Sequence, residues 1–245
     1  MNIAGSTTER LADLWMDRRE IQNLMGKYVY YKLLKDETKL VDEFWSTRDD
    51  VCLGVNHGYY VGQAAVRGYY DAVDENTAVR TKHMKELYPL YFKDKSLEEM
   101  HGVGSVEVDA LTTCVIEQAD DGETAKGVWY VVGEDINIWP QGPLAHWGYG
   151  CIAADFIKED GDWKIWHLQD VVDIDTPTGT SWADGRIEPE VLPEFAALSE
   201  KLRPMPEPSV ASVIREPFYP GRRFTPLVRV PEPYSTFSET FSYGI

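Results

Sequence analysis

From residue 21 the apolar positions recur as Ile21, Leu24, Met25, Tyr28 and Tyr31, the i, i+3, i+4, i+7 spacing of one helix face. Ser6, Thr7 and Thr8 stand ahead of that pattern as candidate caps. Asp36 opens a shorter helix that turns Leu40, Val41, Phe44 and Trp45 inward. Val51 to Val55 reads as a strand, His57-Gly58 as a turn and Tyr59 to Val61 as the partner strand. Past Gly62, Ala65, Val66, Tyr69 and Val73 share one side of another helix. Residues 75–98 carry Arg80, His83, Tyr88, Tyr91 and Phe92 without alternation, and predict a helical insertion or lid.

From Met100 the period changes to two. Strands are predicted over 101–109, 112–118, 124–138, 143–157 and 162–173. Their junctions carry turn chemistry in Asp120-Asp121-Gly122, Pro140-Gln141-Gly142 and Asp160-Gly161-Asp162. Helices first and an antiparallel meander afterwards is an α+β order. After Asp175 the character shifts, so residues 1–175 form the expected domain and 176–245 an extension. The stretch 190–201 predicts one more helix, and 203–245 is rich in Pro and aromatics without periodicity. Disordered segments are poor in aromatics. This one is expected to run extended over a surface, such as that of a neighbouring subunit.

The 245 residues suffice to bury a core without disulfides or metals. A net charge of −17 repels phosphate backbones and anionic lipid surfaces, which argues against nucleic acid and membrane partners. Cys52, Cys114 and Cys151 are scattered and odd in number, as expected of reduced thiols in the cytoplasm. The amino terminus shows no apolar stretch of the signal-peptide kind, and no run approaches the length of a membrane span. Aromatic residues make up 12%, enough for a core and for a pocket around a flat ligand.

Phosphate-loop, dinucleotide, nucleophile-elbow and zinc-protease motifs are all missing, and the five histidines lack metal-ligand spacing. No cofactor or metal is therefore expected, and chemistry falls to side-chain acids and bases. His101, at the start of the first long predicted strand, is either a satisfied structural residue or a general base. Tyr28 is either a core aromatic or a neutral donor to a developing oxyanion, with Tyr31 one turn on. Alternation puts His146, Gly148, Gly150 and Ile152 on one sheet face and Trp147, Tyr149 and Cys151 on the other. Two glycines on one face fit either close backbone packing or room for a bulky ligand. Trp129, Val131, Gly133 and Asp135 share a face of the preceding strand, with Trp129 a candidate wall and Asp135 a candidate rim group. Arg222-Arg223 reads as a solvated or subunit-contact pair.

The ordered set IQNLMGKYVYYKLL, VCLGVNHGYYVG, AAVRGYYDAV and YGCIAADFIKEDGDWKIWH resembles the SnoaL-like branch of the nuclear-transport-factor-2-like superfamily. The resemblance covers roughly residues 8–175. It implies a cone, a curved antiparallel sheet wrapped around helices, with a deep apolar pocket. Cofactor-free dehydratases, a dehydrochlorinase, steroid isomerases, polyketide cyclases and a diarylpropane lyase share that fold. On this likeness His101 matches a catalytic histidine, and Tyr28 a helix tyrosine that would work with Tyr31. Trp129 and Asp135, with His146, Ile152 and His57, would bind substrate. The aspartate that pairs with the family histidine falls at Leu33, which shifts weight to phenol-assisted chemistry. Several relatives are trimers, so a homotrimer is expected. The expected activity is a cofactor-independent lyase on a phenolic, lignin-dimer-like small molecule, with or without formaldehyde release. A dehydratase or isomerase of a steroid-like or polyketide ligand is the first alternative. A non-catalytic subunit of the ring-hydroxylating dioxygenase type, its pocket filled with core side chains, is the second.

Overall fold

The chain in this computed structural model is described over residues 3–181, 183, 190–221 and 228–245. The Arg222-Arg223 pair lies outside them. Helix α1 (Ile3–Leu34) starts ahead of its three candidate caps and buries Ile21, Leu24, Met25 and Tyr28, the face read from spacing. It ends where Lys35 enters the left-handed region at φ 57°. Helix α2 (Glu37–Phe44) turns Leu40, Val41 and Phe44 inward as expected. Asp36 makes no side-chain cap; Asp74 of the next helix accepts from the Thr38 backbone N–H at 3.2 Å and its hydroxyl at 2.9 Å. Strands β1 (Cys52–Val55) and β2 (Gly58–Val61) form the predicted hairpin. Helix α3 (Gln63–Leu87) then runs unbroken through residue 75, so the expected insertion is its second half, followed by one exposed turn, α4 (Pro89–Phe92).

The two strands expected over 101–118 are one, β3 (Val106–Gln118). It is interrupted by a bulge at Thr113, whose φ is 46°. Residues 101–104 form turns ahead of it, so His101 precedes the sheet instead of opening it. The meander continues through β4 (Thr124–Trp139), β5 (Gly142–Glu159) and β6 (Asp162–Pro177). With β7 (Val210–Ala211) they make a curved, unclosed sheet ordered β3-β4-β5-β6-β1-β2-β7, in which β1 pairs parallel with β6. Bulges after Tyr149 and Asp155 bend β5 against β6.

The helices fill the concave face. Tyr28, Leu40, Phe44 and Tyr70 meet Trp129, Ile152, Phe156 and Leu168 there in one apolar cluster. Of the predicted helix over 190–201, only α5 (Leu198–Lys201) forms. Around it Phe195, Leu198 and Leu202 pack on Ile138 and Leu87, and Asn76 clasps the Arg203 backbone through bonds of 2.7 and 2.9 Å. The described tail covers the convex face of its own sheet, where Phe241 and Tyr243 join Val128, Cys151 and Val171. That attachment encloses a charge cluster. Lys126 and Asp155, both 0% exposed, meet at 2.5 Å. Asp155 also accepts from His167 Nδ1 at 2.8 Å, the Tyr243 N–H at 2.8 Å and the Ser242 hydroxyl at 3.1 Å. The tail rings of Tyr234, Phe237, Phe241 and Tyr243 stand 4.4–5.7 Å from the Lys126 ammonium. Among the described residues no helix is long and apolar enough to cross a membrane.

Candidate active site

Sheet and helices leave a cavity of about 940 Å³ on the concave side, lined from α1, α3, β3–β6 and the segment around α5. Strand alternation builds its wall. Val131, Gly133 and Asp135 of β4 stand directly opposite Gly150, Gly148 and His146 of β5. The two glycines have different causes. A Cβ on Gly148 meets nothing closer than the Gly133 carbonyl oxygen at 4.0 Å, whereas one on Gly150 strikes the Val171 carbonyl oxygen. Gly148 therefore leaves space along the wall, and Gly150 lets β6 approach.

The last turn of α1 and the residue that ends it deliver two cations to the cavity. Lys32, four residues beyond Tyr28 and so on the same helix face, lies 2.8 Å from Asp109, 3.0 Å from Glu107 and 3.1 Å from Asp170. Lys35 lies 2.6 Å from the other Glu107 oxygen. Burial pushes the Glu107 carboxyl up, but the two ammonium groups outweigh it and hold it down at about 2. Glu37 has no ion-pair partner among the described residues; burial, and then the charge of Glu107, push its carboxyl up to about 8. It is a neutral acid at pH 7. Burial and Glu107 likewise raise Asp135, to about 6.

Two further pairs supply proton donors and acceptors. The Tyr28 and Tyr70 hydroxyls are 2.7 Å apart, and burial raises both phenols well above their ordinary range. His146 Nδ1 is 2.7 Å from Asp175 Oδ1. A carboxylate only accepts, so Nδ1 carries a proton, and in the neutral ring Nε2 carries the lone pair. That Nε2 is buried and has no hydrogen-bond partner among the described residues. Leaving such an atom unmet costs about 1–3 kcal/mol. Among the described residues no three His, Cys, Asp or Glu side chains are grouped to hold a metal ion.

Of the residues singled out in the sequence, Tyr28, Asp135, His146 and His57 line the cavity together. Trp129 and Ile152 face each other across β4 and β5 but belong to the core, with Trp129 edge-on to Phe156. Tyr31 packs on Phe44, and Lys39 lies over its ring. His101 is exposed, bonds the Lys35 carbonyl at 3.0 Å and is not among the lining residues. Sequence reasoning missed Lys32, Lys35, Glu37, Tyr70, Glu107, Asp109, Asp170 and Asp175. The signal for three of them was present: Glu107 and Asp109 alternate along one strand, and Lys32 follows Tyr28 by one helical turn.

The sequence matches no family model, and no curated protein matches it. Among solved structures, the chain is similar to a candidate scytalone dehydratase from Novosphingobium aromaticivorans. The identity is 12% and the TM-score 0.49, over 70% of this chain and 93% of that one. A hexachlorocyclohexane dehydrochlorinase of type 3 from Novosphingobium barchaimii matches at 15% identity and a TM-score of 0.46, over 73% and 99%. A nuclear-transport-factor-2-like protein with a cystatin-like fold from N. aromaticivorans matches at 15% and 0.41, over 71% and 90%. These are partial likenesses of backbone and say nothing of chemistry.

Proposed function

We propose that the cavity is the active centre of a cofactor-independent lyase for a hydroxylated aromatic small molecule, working by acid–base elimination. One observation carries this reading: the His146–Asp175 pair stands on the cavity wall with Nε2 unpartnered. An imidazole whose Nδ1 proton is held by a carboxylate serves as a general base through Nε2, and the carboxylate stabilises its conjugate acid. The acid–base role expected of His101 thus passes to His146. Tyr28 and Tyr70 are neutral phenols that position substrate hydroxyls, and protonated Glu37 is a proton source. The lining mixes apolar groups (Leu53, Val55, Val131, Trp139) with the charged set above, which suits a flat body carrying several hydroxyls.

In the concrete version, a para-hydroxyphenyl 1,3-diol loses its benzylic hydroxyl as water. The acid protonates the leaving oxygen and takes back the phenol proton, leaving a quinone methide. The base then takes the proton of the hydroxymethyl group. The carbon–carbon bond breaks, formaldehyde leaves, and the electron pair returns to the ring as a phenolate, which takes that proton from the base to give a stilbene-type phenol. Atoms balance as substrate to alkene, water and formaldehyde, with no external oxidant.

Purified protein is incubated with phenolic two-ring 1,3-diols and β-hydroxy aromatics, following formaldehyde and stilbene absorbance together. Formaldehyde with growing absorbance supports the carbon–carbon lyase. Water loss without formaldehyde moves the assignment to dehydratase. Silence across the panel favours a non-catalytic subunit, though such a subunit has no use for an open cavity of this size.

A further inference from the structure

Among the lining cations, Arg80 of α3 is different. The residue is 8% exposed and lines the cavity, yet no carboxylate among the described residues lies within ion-pair distance of it. Its Nε donates to the Ile138 carbonyl at 3.1 Å, and its guanidinium lies over the Trp139 ring at 5.0 Å. Its two terminal nitrogens have no acceptor among the described residues. Buried charges are normally paired, because desolvating them without a partner is costly. The other cations on the wall, Lys32 and Lys35, are held by Glu107, Asp109 and Asp170, and Asp175 is taken by His146. Asp135 is near enough to act on Arg80 through space but does not pair with it. Beside Trp139, Asn137 accepts from the Ser105 hydroxyl and the Ile138 N–H through its oxygen, so its amide NH₂ is a further donor on the lining.

We propose that this end of the cavity is an anion subsite in which Arg80 receives a carboxylate of the substrate and Trp139 packs on its carbon body. The planar fork of a guanidinium matches a carboxylate through two parallel bonds. A phosphate dianion fits less well, because no second unpaired Lys or Arg lines the cavity among the described residues and Asp135 is close by. The substrate class narrows to hydroxylated aromatic acids, with the ring hydroxyls at Tyr28 and Tyr70 and the acid group at Arg80. This rests on reading the cavity as a substrate site.

Calorimetry compares 2,3-bis(4-hydroxyphenyl)propanoate with its primary amide at neutral pH. Wild type should bind the acid roughly ten- to a hundredfold tighter, the range of a charge-assisted pair. Arg80→Gln should erase that preference while leaving the amide affinity unchanged. Arg80→Lys, which keeps the charge and loses the fork, should retain part of it and serves if the glutamine variant fails to fold. Equal binding of acid and amide by wild type, preference surviving in Arg80→Gln, or binding of neither at millimolar concentration overturns the subsite. Because binding alone is read, a preference without turnover leaves the subsite standing and removes the lyase, and turnover of neutral diols without preference does the reverse.

Discussion

Replacing Asp155 by alanine tests what ties the tail to the sheet. In the native fold this carboxylate is the counter-ion of Lys126, which is 0% exposed, and it also accepts from His167, Ser242 and the Tyr243 backbone. Removing it strands a buried ammonium, which costs about 3–5 kcal/mol. The orphaned Tyr243 N–H adds about 1–3 kcal/mol. Taking about 4 kcal/mol as the combined minimum, a chain of this size should lose ~8–16 °C in Tm. Lys126→Met removes the charge instead, keeps an apolar stem among the four tail rings and leaves Asp155 its three other donors. It should cost far less, about 1–2 kcal/mol. The double variant Asp155→Leu/Lys126→Met should recover at least about 2 kcal/mol relative to the sum of the single changes. Urea unfolding gives the three energies, and limited proteolysis of residues 228–245 reports whether the tail lets go. A cost below about 1 kcal/mol for Asp155→Ala, or additivity in the double variant, refutes the reasoning.

Three further outcomes follow from the cavity. Glu37 rises from 4.5 to about 8, so the stability its proton gives is full below pH 4.5 and is lost as pH climbs through 8; Glu37→Gln should therefore gain on wild type between those limits in urea unfolding, and parallel curves contradict this. Gly148→Leu should keep the fold and lose ligand binding, while Gly150→Ala, striking the Val171 carbonyl, should cost about 1–3 kcal/mol; thermal melts and calorimetry separate the two. Asp135, raised to about 6 in a setting that also holds Glu107, Lys35, His146 and Arg80, should ionise and repel an anionic ligand as pH rises through 6; the affinity of the acid probe should fall across that range, and Asp135→Asn should flatten the fall.

Period and spacing expose what depends on one face of one element. The buried face of α1, the β1–β2 hairpin and the alternation that puts Val131, Gly133 and Asp135 on one face of β4 are local properties of that kind, and all stand as expected. Pairings between distant segments are not. Asp175 meets His146 only because β5 and β6 are adjacent in the sheet, and Lys32 gathers acids from β3 and β6. His101 shows the opposite failure: its place in the sequence suggested a strand, but flanking Gly102 and Gly104, both at positive φ, close turns there instead. The tail had no period to read, and its destination depends on Lys126 and Asp155, which look like ordinary surface charges in an alternating strand.

The most direct measurement is kcat/KM for a phenolic 1,3-diol, taken on His146→Ala and His101→Ala in the same assay. If His146 is the general base, its loss should lower kcat/KM by roughly 100- to 10,000-fold, with His101→Ala close to wild type. Activity that survives in His146→Ala and vanishes in His101→Ala contradicts the account.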